Sequence, residues 1–182
     1  MATQNECRDT HQLNTPSAWV LRWAGLAPAA CTVLDVACGS GRHSRLFAGQ
    51  GHAVEAVDRD AAALAGLAGV PNIVTRCADL ESSPWPYAGR VFGAVVVTNY
   101  LHRPLFPCLL DALAPGGLLI YETFALGNER YGRPSNPDFL LKPGELLDLA
   151  RGRLRVLAYE DLIVESPKPA MLQRICATMP MQ

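Results

Sequence analysis

Asp35, Gly39, Gly41, Asp58 and Asp79 are residues whose types and spacing could do chemistry together. Asp35 interrupts the apolar run VLDVA (33–37). A carboxylate buried there without a partner would be costly, so it should face polar groups at the end of the run or accept hydrogen bonds from the following turn. Ala37, Gly39 and Gly41 then place small side chains along that turn, which lets backbone amides and the start of a helix approach a ligand. Asp58 closes the next apolar run, AVEAVD (53–58), seventeen residues after Gly41, and a carboxylate there can accept from both hydroxyls of an adenosine ribose. Asp79 follows NIVTRCA (72–78) and could accept from an adenine amine or cap the next turn.

A turn of small residues followed by an acid also suits a nicotinamide dinucleotide. Here, however, AxGxG runs on into Arg42, His43 and Ser44 and lacks the third glycine of GxGxxG that permits close helix packing. Three acids at the ends of three successive runs, each with a task on one ligand, are more specific than any one of them.

The elements that must hold these residues alternate between buried runs and helical periods. Pro16 and Ser17 start a helix (17–27) with Trp19, Val20, Trp23 and Leu26 at spacings of three and four, and Gly25 and Pro28 end it. Strands are expected at 33–37, 53–58, 72–78, 91–98 and 118–124. Helices are expected at 42–50, 61–68 and 106–113, the last stopping at Ala114-Pro115-Gly116-Gly117. Buried runs separated by helices are the pattern of a parallel sheet covered on both faces. Residues 125–144 read as a long loop rich in glycine, proline and polar residues, followed by a short helix at GELLDLAR. The runs 154–165 and 170–179, on either side of Ser166-Pro167-Lys168-Pro169, read as an antiparallel hairpin.

At 182 residues the chain is expected to form one domain, with a polar arm over 1–16 and the core over 30–179. Sixteen basic against seventeen acidic residues, without long runs of either sign, give no field to gather nucleic acid or an anionic membrane. No apolar run is long enough to span a bilayer, and the first fifteen residues have the balance of neither a signal nor a transit peptide. The six cysteines stand singly with no CxxC pair, which suits reduced thiols in the cytoplasm, and the four histidines make no recognised metal-ligand spacing. No metal is expected, and the assembly is expected to be a monomer or a homodimer.

With these motifs in view, the chain resembles the class I S-adenosylmethionine-dependent methyltransferases, and among them the small tellurite-resistance-type group. LDVACGSG is similar to the first motif of that family with Ala37 where glycine is usual, an exchange that fits if the backbone there does not need positive φ. VEAVDRD is similar to the ribose-binding motif, RCADL to the adenine-side motif, VVVTNYLHR to the end of strand four, and LAPGGLLIYETF to the segment after it. The resemblance implies an α/β fold: a Rossmann-like three-layer sandwich on a mostly parallel seven-stranded sheet with an antiparallel C-terminal strand. It also implies S-adenosylmethionine as cofactor and S-adenosylhomocysteine as product. Cofactor contact falls to Asp35, Ala37, Cys38, Gly39, Gly41, Asp58, Arg59, Asp79, Leu80 and Thr98.

Methyl transfer needs alignment more than acid-base chemistry, so Thr98, Asn99 and Tyr100 are expected nearest the methyl group, while Asn99 could instead cap the strand and Tyr100 pack. His102 could take a proton from a hydroxyl or thiol acceptor, or face solvent. Arg130, Tyr131 and Arg133 in the long loop are candidates for meeting a small-molecule acceptor. Two other functions fit the same cofactor turn: a binding module that works through a protein partner, and a nicotinamide-dependent oxidoreductase.

Overall fold

The computed structural model describes residues 15–166 and 168–181. Most of the expected polar arm, Pro167 of the hairpin turn, Cys7 and His11 therefore lie outside the described residues. The strands are β1 (Thr32–Val36), β2 (Ala53–Asp58), β3 (Ile73–Cys77), β4 (Phe92–Thr98), β5 (Leu113–Phe124), β6 (Arg155–Val164) and β7 (Ala170–Thr178). They form one sheet in the order β3-β2-β1-β4-β5-β7-β6, with β7 antiparallel to both of its neighbours. The seven-stranded, mostly parallel sheet with its antiparallel C-terminal strand is thus as expected.

Alternation along the central strands sorts the core into two faces. Val33, Val54, Val96, Leu118 and Ile120 pack with Trp19 and Val20 of α1 (Ala18–Trp23) and Phe47 of α2 (Arg42–Gly49). Beside them, Ala56 packs with Leu64 of α3 (Ala61–Ala65) and with Leu67. Their sequence neighbours Leu34, Val95, Val97 and Leu119 point the other way, onto Leu109 and Leu110 of α4 (Phe106–Asp111) and Leu146 of α5 (Glu145–Ala150). On that second face Leu80 and Tyr87, in the segment between β3 and β4, join the same cluster. Strands buried on both sides read as continuous apolar runs, which is why β1 and β4 were visible in the sequence. Among the described residues no helix is long and apolar enough to cross a membrane.

Three expected helix ends move. The helix expected over 17–27 is α-helical only over Ala18–Trp23 and continues as a 3-10 turn, Ala24–Leu26. The helix expected over 61–68 ends at Ala65 with Gly66 as its cap. The helix expected to run to 113 and stop at Ala114–Gly117 ends at Asp111, and those four residues belong to β5. Phe92 N–H takes the Ala112 carbonyl at 2.8 Å, and Gly116 N–H donates to the Met179 carbonyl at 3.0 Å, so neighbouring strands claim this backbone. The register jump between Phe92↔Leu113 and Ala94↔Leu118 absorbs the extra residues as a bulge, and Gly116 at φ 72 supplies the turn within it.

Candidate functional site

The turn after β1 is a series of left-handed residues: Ala37 at φ 52, Gly39 at φ 55 and Gly41 at φ 76. Ala37 thus does stand at positive φ, contrary to the condition under which alanine would replace glycine freely; a left-handed alanine is strained by about 1–2 kcal/mol. The two glycines serve different ends. A Cβ on Gly39 would meet nothing within 4 Å, so open space lies beside its backbone, whereas a Cβ on Gly41 would strike Leu67 at 2.5 Å. Gly41 is a packing requirement of α2, and Gly39 is where a ligand can come close.

Asp58, at the end of β2, accepts from Gly39 N–H through Oδ2 at 2.7 Å and from Asp60 N–H through Oδ1 at 2.9 Å. Each oxygen keeps a lone pair, so the carboxylate is oriented by two amides and can still accept from two hydroxyls. Asp79 accepts from Glu81 N–H at 2.9 Å, and this bond together with that from the Ser82 hydroxyl holds its carboxyl below the usual range. The plainer turn-capping role is real here, and Asp79 also lines a cavity.

Ala37, Asp58, Arg59, Asp79, Leu80, Asn99 and Tyr100 line one cavity of about 240 Å³ together with Ala78 and Glu81. A second cavity of about 370 Å³ adjoins it, sharing Arg59, Glu81, Asn99 and Tyr100 and adding Leu101, Thr123, Phe124, Pro134 and Phe139. The shared wall is the exit of β4, with Arg59 from beyond β2 and Glu81 from beyond β3 beside it. Asn99 sits there at φ 55 with its N–H on the Glu122 carbonyl at 2.9 Å, and the Tyr121 hydroxyl donates to the Tyr100 carbonyl at 2.9 Å. The Tyr100 hydroxyl itself is buried without a hydrogen-bond partner, and burial pushes its pKa above the ordinary tyrosine value.

Other expected residues, Gly39 and Gly41 among them, line neither cavity. Asp35 is buried and accepts from the Ser44 hydroxyl at 2.6 Å; burial pushes its carboxyl up to about 6 against the pull of Ser44 and Arg42. The expectation that this acid would find a polar partner holds, and the partner is the first turn of α2. Cys38 is buried among Ala56, Leu64 and Leu67, and burial raises its thiol. Thr98 Oγ1 lies 3.3 Å from His43 Nδ1. Because His43 Nε2 accepts from Ser17 N–H at 3.1 Å, the ring proton sits on Nδ1 and donates to Thr98. Burial, with Arg42 nearby, holds His43 neutral by lowering its pKa to about 3. His102, Arg130, Tyr131 and Arg133 line neither cavity, and the last three are exposed.

Several participants had escaped the sequence reading. Glu122 is buried between the Ser17 hydroxyl at 2.6 Å and Arg174 at 3.2 Å, which ties the start of α1 to β5 and β7 above the sheet. A glutamate within the apolar run LLIYETF was the available signal, since a buried acid must be paired. Glu81 and Phe124 carried no such signal, while Pro134 and Phe139 belong to the long loop that the sequence already set apart.

Residues 33–117 match a family model described as a methyltransferase domain. No curated protein matches the chain in sequence. Among solved structures, TehB from Haemophilus influenzae is 19% identical with a TM-score of 0.76; the match covers 90% of this chain and 62% of that one, so this chain spans under two thirds of TehB. A TehB-like S-adenosylmethionine-dependent methyltransferase from Corynebacterium glutamicum is 18% identical with a TM-score of 0.67, over 96% and 95% of the two chains. The glycopeptide N-methyltransferase MtfA, solved with S-adenosyl-L-homocysteine, is 19% identical with a TM-score of 0.62, over 89% and 88%. Residues 33–117 are thus similar to a methyltransferase domain, carried on a fold similar to that of TehB and of the TehB-like S-adenosylmethionine-dependent methyltransferase.

Proposed function

We propose that this chain transfers the methyl group of S-adenosylmethionine to a small-molecule acceptor, with the cofactor in the cavity of Asp58 and Asp79 and the acceptor in the cavity of Phe124 and Phe139. The observation that carries this reading is the shared wall: Asn99 and Tyr100 border both spaces, so two ligands there would meet at the exit of β4. The residues present suit the cofactor. Open space beside Gly39 admits a ligand close to the backbone, and two free lone pairs on Asp58 and the carboxylate of Asp79 match a ribose and an adenine amine. When bound, the sulfonium supplies an activated methyl group.

The chain's own task is then to align two ligands and exclude water. Leu101, Phe124, Pro134 and Phe139 give the acceptor an apolar wall, and Glu81 faces the same cavity as a carboxylate that can accept from an amine or hydroxyl. His102 lies off that wall, which favours an acceptor that needs no histidine base. In the long loop, Pro134 and Phe139 reach the cavity, so we assign Arg130, Tyr131 and Arg133 contacts with any part of the acceptor that extends beyond it. Five free cysteines among the described residues fit a reducing cytoplasmic compartment. The balanced charge favours neither nucleic acid nor membrane as a partner, and a monomer or homodimer suffices for the site.

Calorimetric titration with S-adenosylhomocysteine and with NAD tests the cofactor, and consumption of S-adenosylmethionine against a panel of small amines, phenols and thiols tests the transfer. Saturable S-adenosylhomocysteine binding and turnover of at least one acceptor are expected. Binding of NAD alone would point to the oxidoreductase. Cofactor binding without turnover of any panel member would favour the non-catalytic module.

A further inference from the structure

We infer that Arg103 is the positioning residue that sets the width of the acceptor cavity, because its guanidinium joins the exit of β4 to the loop carrying Phe139; the inference rests on the reading of that cavity as the acceptor site. Arg103 stands two residues beyond Leu101, at the start of a 3-10 turn spanning Arg103–Leu105. Its Nε donates to Glu145 Oε1 at 2.6 Å and one terminal nitrogen to Glu145 Oε2 at 2.9 Å. The same nitrogen donates to the Leu140 carbonyl at 2.8 Å, and the other terminal nitrogen to the Asp138 carbonyl at 2.7 Å. The two carbonyls flank Phe139, which lines the cavity together with Asn99 and Tyr100.

Glu145 completes the clamp. Its Oε2 also accepts from Lys142 N–H at 2.8 Å, and although burial works to raise its carboxyl, Arg103 and that amide outweigh burial and hold it below the usual range. A guanidinium can present a planar fork to a carboxylate while its remaining N–H groups reach two carbonyls; a lysine ammonium has neither the fork nor the span. Elsewhere the loop is held by Asn128, whose side-chain amide donates to the Pro134 carbonyl at 3.0 Å while its oxygen accepts from Met171 N–H at 3.2 Å. Asn128 holds the start of the loop and the Ala125–Leu141 bridge holds its end, with Leu141 N–H on the Phe124 carbonyl and Leu126 N–H on the Leu141 carbonyl, both at 2.9 Å. The turn carrying Phe139 between them is left to Arg103. The wall is prebuilt, and one side chain from the β4 exit determines how far Phe139 stands from Tyr100.

The test uses Arg103→Ala and Arg103→Lys in the full chain saturated with S-adenosylhomocysteine. The amides of Phe139, Leu140 and Leu141 donate to the Asn136, Pro137 and Phe124 carbonyls, so their hydrogen exchange reports the clamp directly and needs no acceptor. Exchange at 139–141 is expected to quicken at least tenfold in both variants while the amides of β1 and β4 keep their rates, and S-adenosylhomocysteine affinity should stay within about twofold. With any acceptor that the unaltered chain turns over in the amine, phenol and thiol panel, KM should rise about tenfold or more with kcat within a few-fold, and preference among panel members should flatten. Unchanged exchange at 139–141, or full rescue of KM by lysine, would overturn the inference; so would exchange quickened uniformly across the sheet, which marks a merely structural residue. Loss of cofactor binding in the unaltered chain, or absence of turnover of every panel member, would instead defeat the proposed function, and the exchange result would still decide whether Arg103 holds the wall.

Discussion

The two ends of the cleft are built on opposite terms. At the cofactor end the backbone is left-handed at Ala37, Gly39 and Gly41 within five residues, and Asp35 lies fully buried beneath them. At the acceptor end the backbone carbonyls of Pro134, Asp138, Leu140 and Lys142 are each satisfied by a side chain reaching from another element. Strain gathers at the proposed cofactor end, while the far wall is made of ordinary contacts that stabilise the fold. The comparison predicts that alterations at the cofactor end relieve strain at the expense of binding, and that alterations at the acceptor end change selectivity at little expense to the cofactor.

Asp35→Asn should show the largest effect, in stability. A carboxyl at about 6 when folded and near 3.8 when unfolded binds its proton more tightly in the native state, so its contribution is fully present below about pH 4 and is lost as pH rises through 6. The loss amounts to about 3 kcal/mol at pH 8. His43 acts in the opposite sense. With a folded pKa near 3 it opposes folding increasingly as pH falls below 6.5, so the two contributions offset one another between about pH 4 and 6. The substituted amide would keep an oxygen for the Ser44 hydroxyl and lose the buried charge. Urea unfolding should therefore find Asp35→Asn more stable than the native chain at pH 8 by about 3 kcal/mol, and losing stability more steeply than the native chain as pH falls from 6 to 4. Equal stability at pH 8 would mean that Asp35 is not held as a strained anion.

Asp58→Asn comes next. The amide keeps one acceptor oxygen and presents a donor to whichever of Gly39 or Asp60 it faces, so the charge-assisted part of ribose binding is lost. Affinity for S-adenosylhomocysteine should fall by about 2 kcal/mol, roughly thirtyfold, by calorimetry, with panel selectivity kept. An altered selectivity would show that the two ends are not independent.

Phe139→Ala makes the complementary cut. The ring is half exposed, so stability should change by no more than about 0.5 kcal/mol, while kcat/KM for an accepted small molecule should fall roughly tenfold at unchanged cofactor affinity. Steady-state kinetics on Arg133→Ala and Tyr131→Ala, whose side chains line neither cavity, should show smaller losses than Phe139→Ala. A larger loss for Arg133→Ala would move the acceptor to the outside of the loop.

The same division explains what could be read from the sequence. The cofactor end is local: β2 runs from Ala53 to Asp58 as expected because an apolar alternation ends there in an acid, and the partners of Asp58 lie in the adjoining turn and two residues ahead. The acceptor end is not local. Arg103 and Glu145 meet across 42 residues, and nothing in either neighbourhood marks the other. In the loop itself, Arg130, Tyr131 and Arg133 drew notice because charge and aromaticity stand out in a sequence, while which side of a loop faces inward depends on where Asn128 and Arg103 pin it. At Ala114–Gly117 a strong local stop signal was overruled by strand neighbours that needed its backbone groups.

The smallest predicted effect separates strain from function at single-residue resolution. Ala30 and Ala37 share the same left-handed φ of 52, yet Ala30 is an exposed residue ahead of β1 whereas Ala37 borders the cavity beside Asp58. Glycine at either position should relieve about 1–2 kcal/mol of backbone strain and lose about half or more of that gain to the greater freedom of the unfolded chain, leaving a net stabilisation of about 0.5 kcal/mol in each variant. The stability change therefore cannot distinguish the two sites, but the ligand can. Ala30→Gly should leave S-adenosylhomocysteine affinity untouched. Ala37→Gly removes a methyl group from the cavity lining and loosens the turn that presents the Gly39 amide to Asp58, so its affinity should fall by about two- to threefold despite the more stable fold. Paired urea melts and titrations on the two variants make the comparison, and an equal ligand response in both would show that the left-handed alanine at 37 is a turn residue with no part in holding the cofactor.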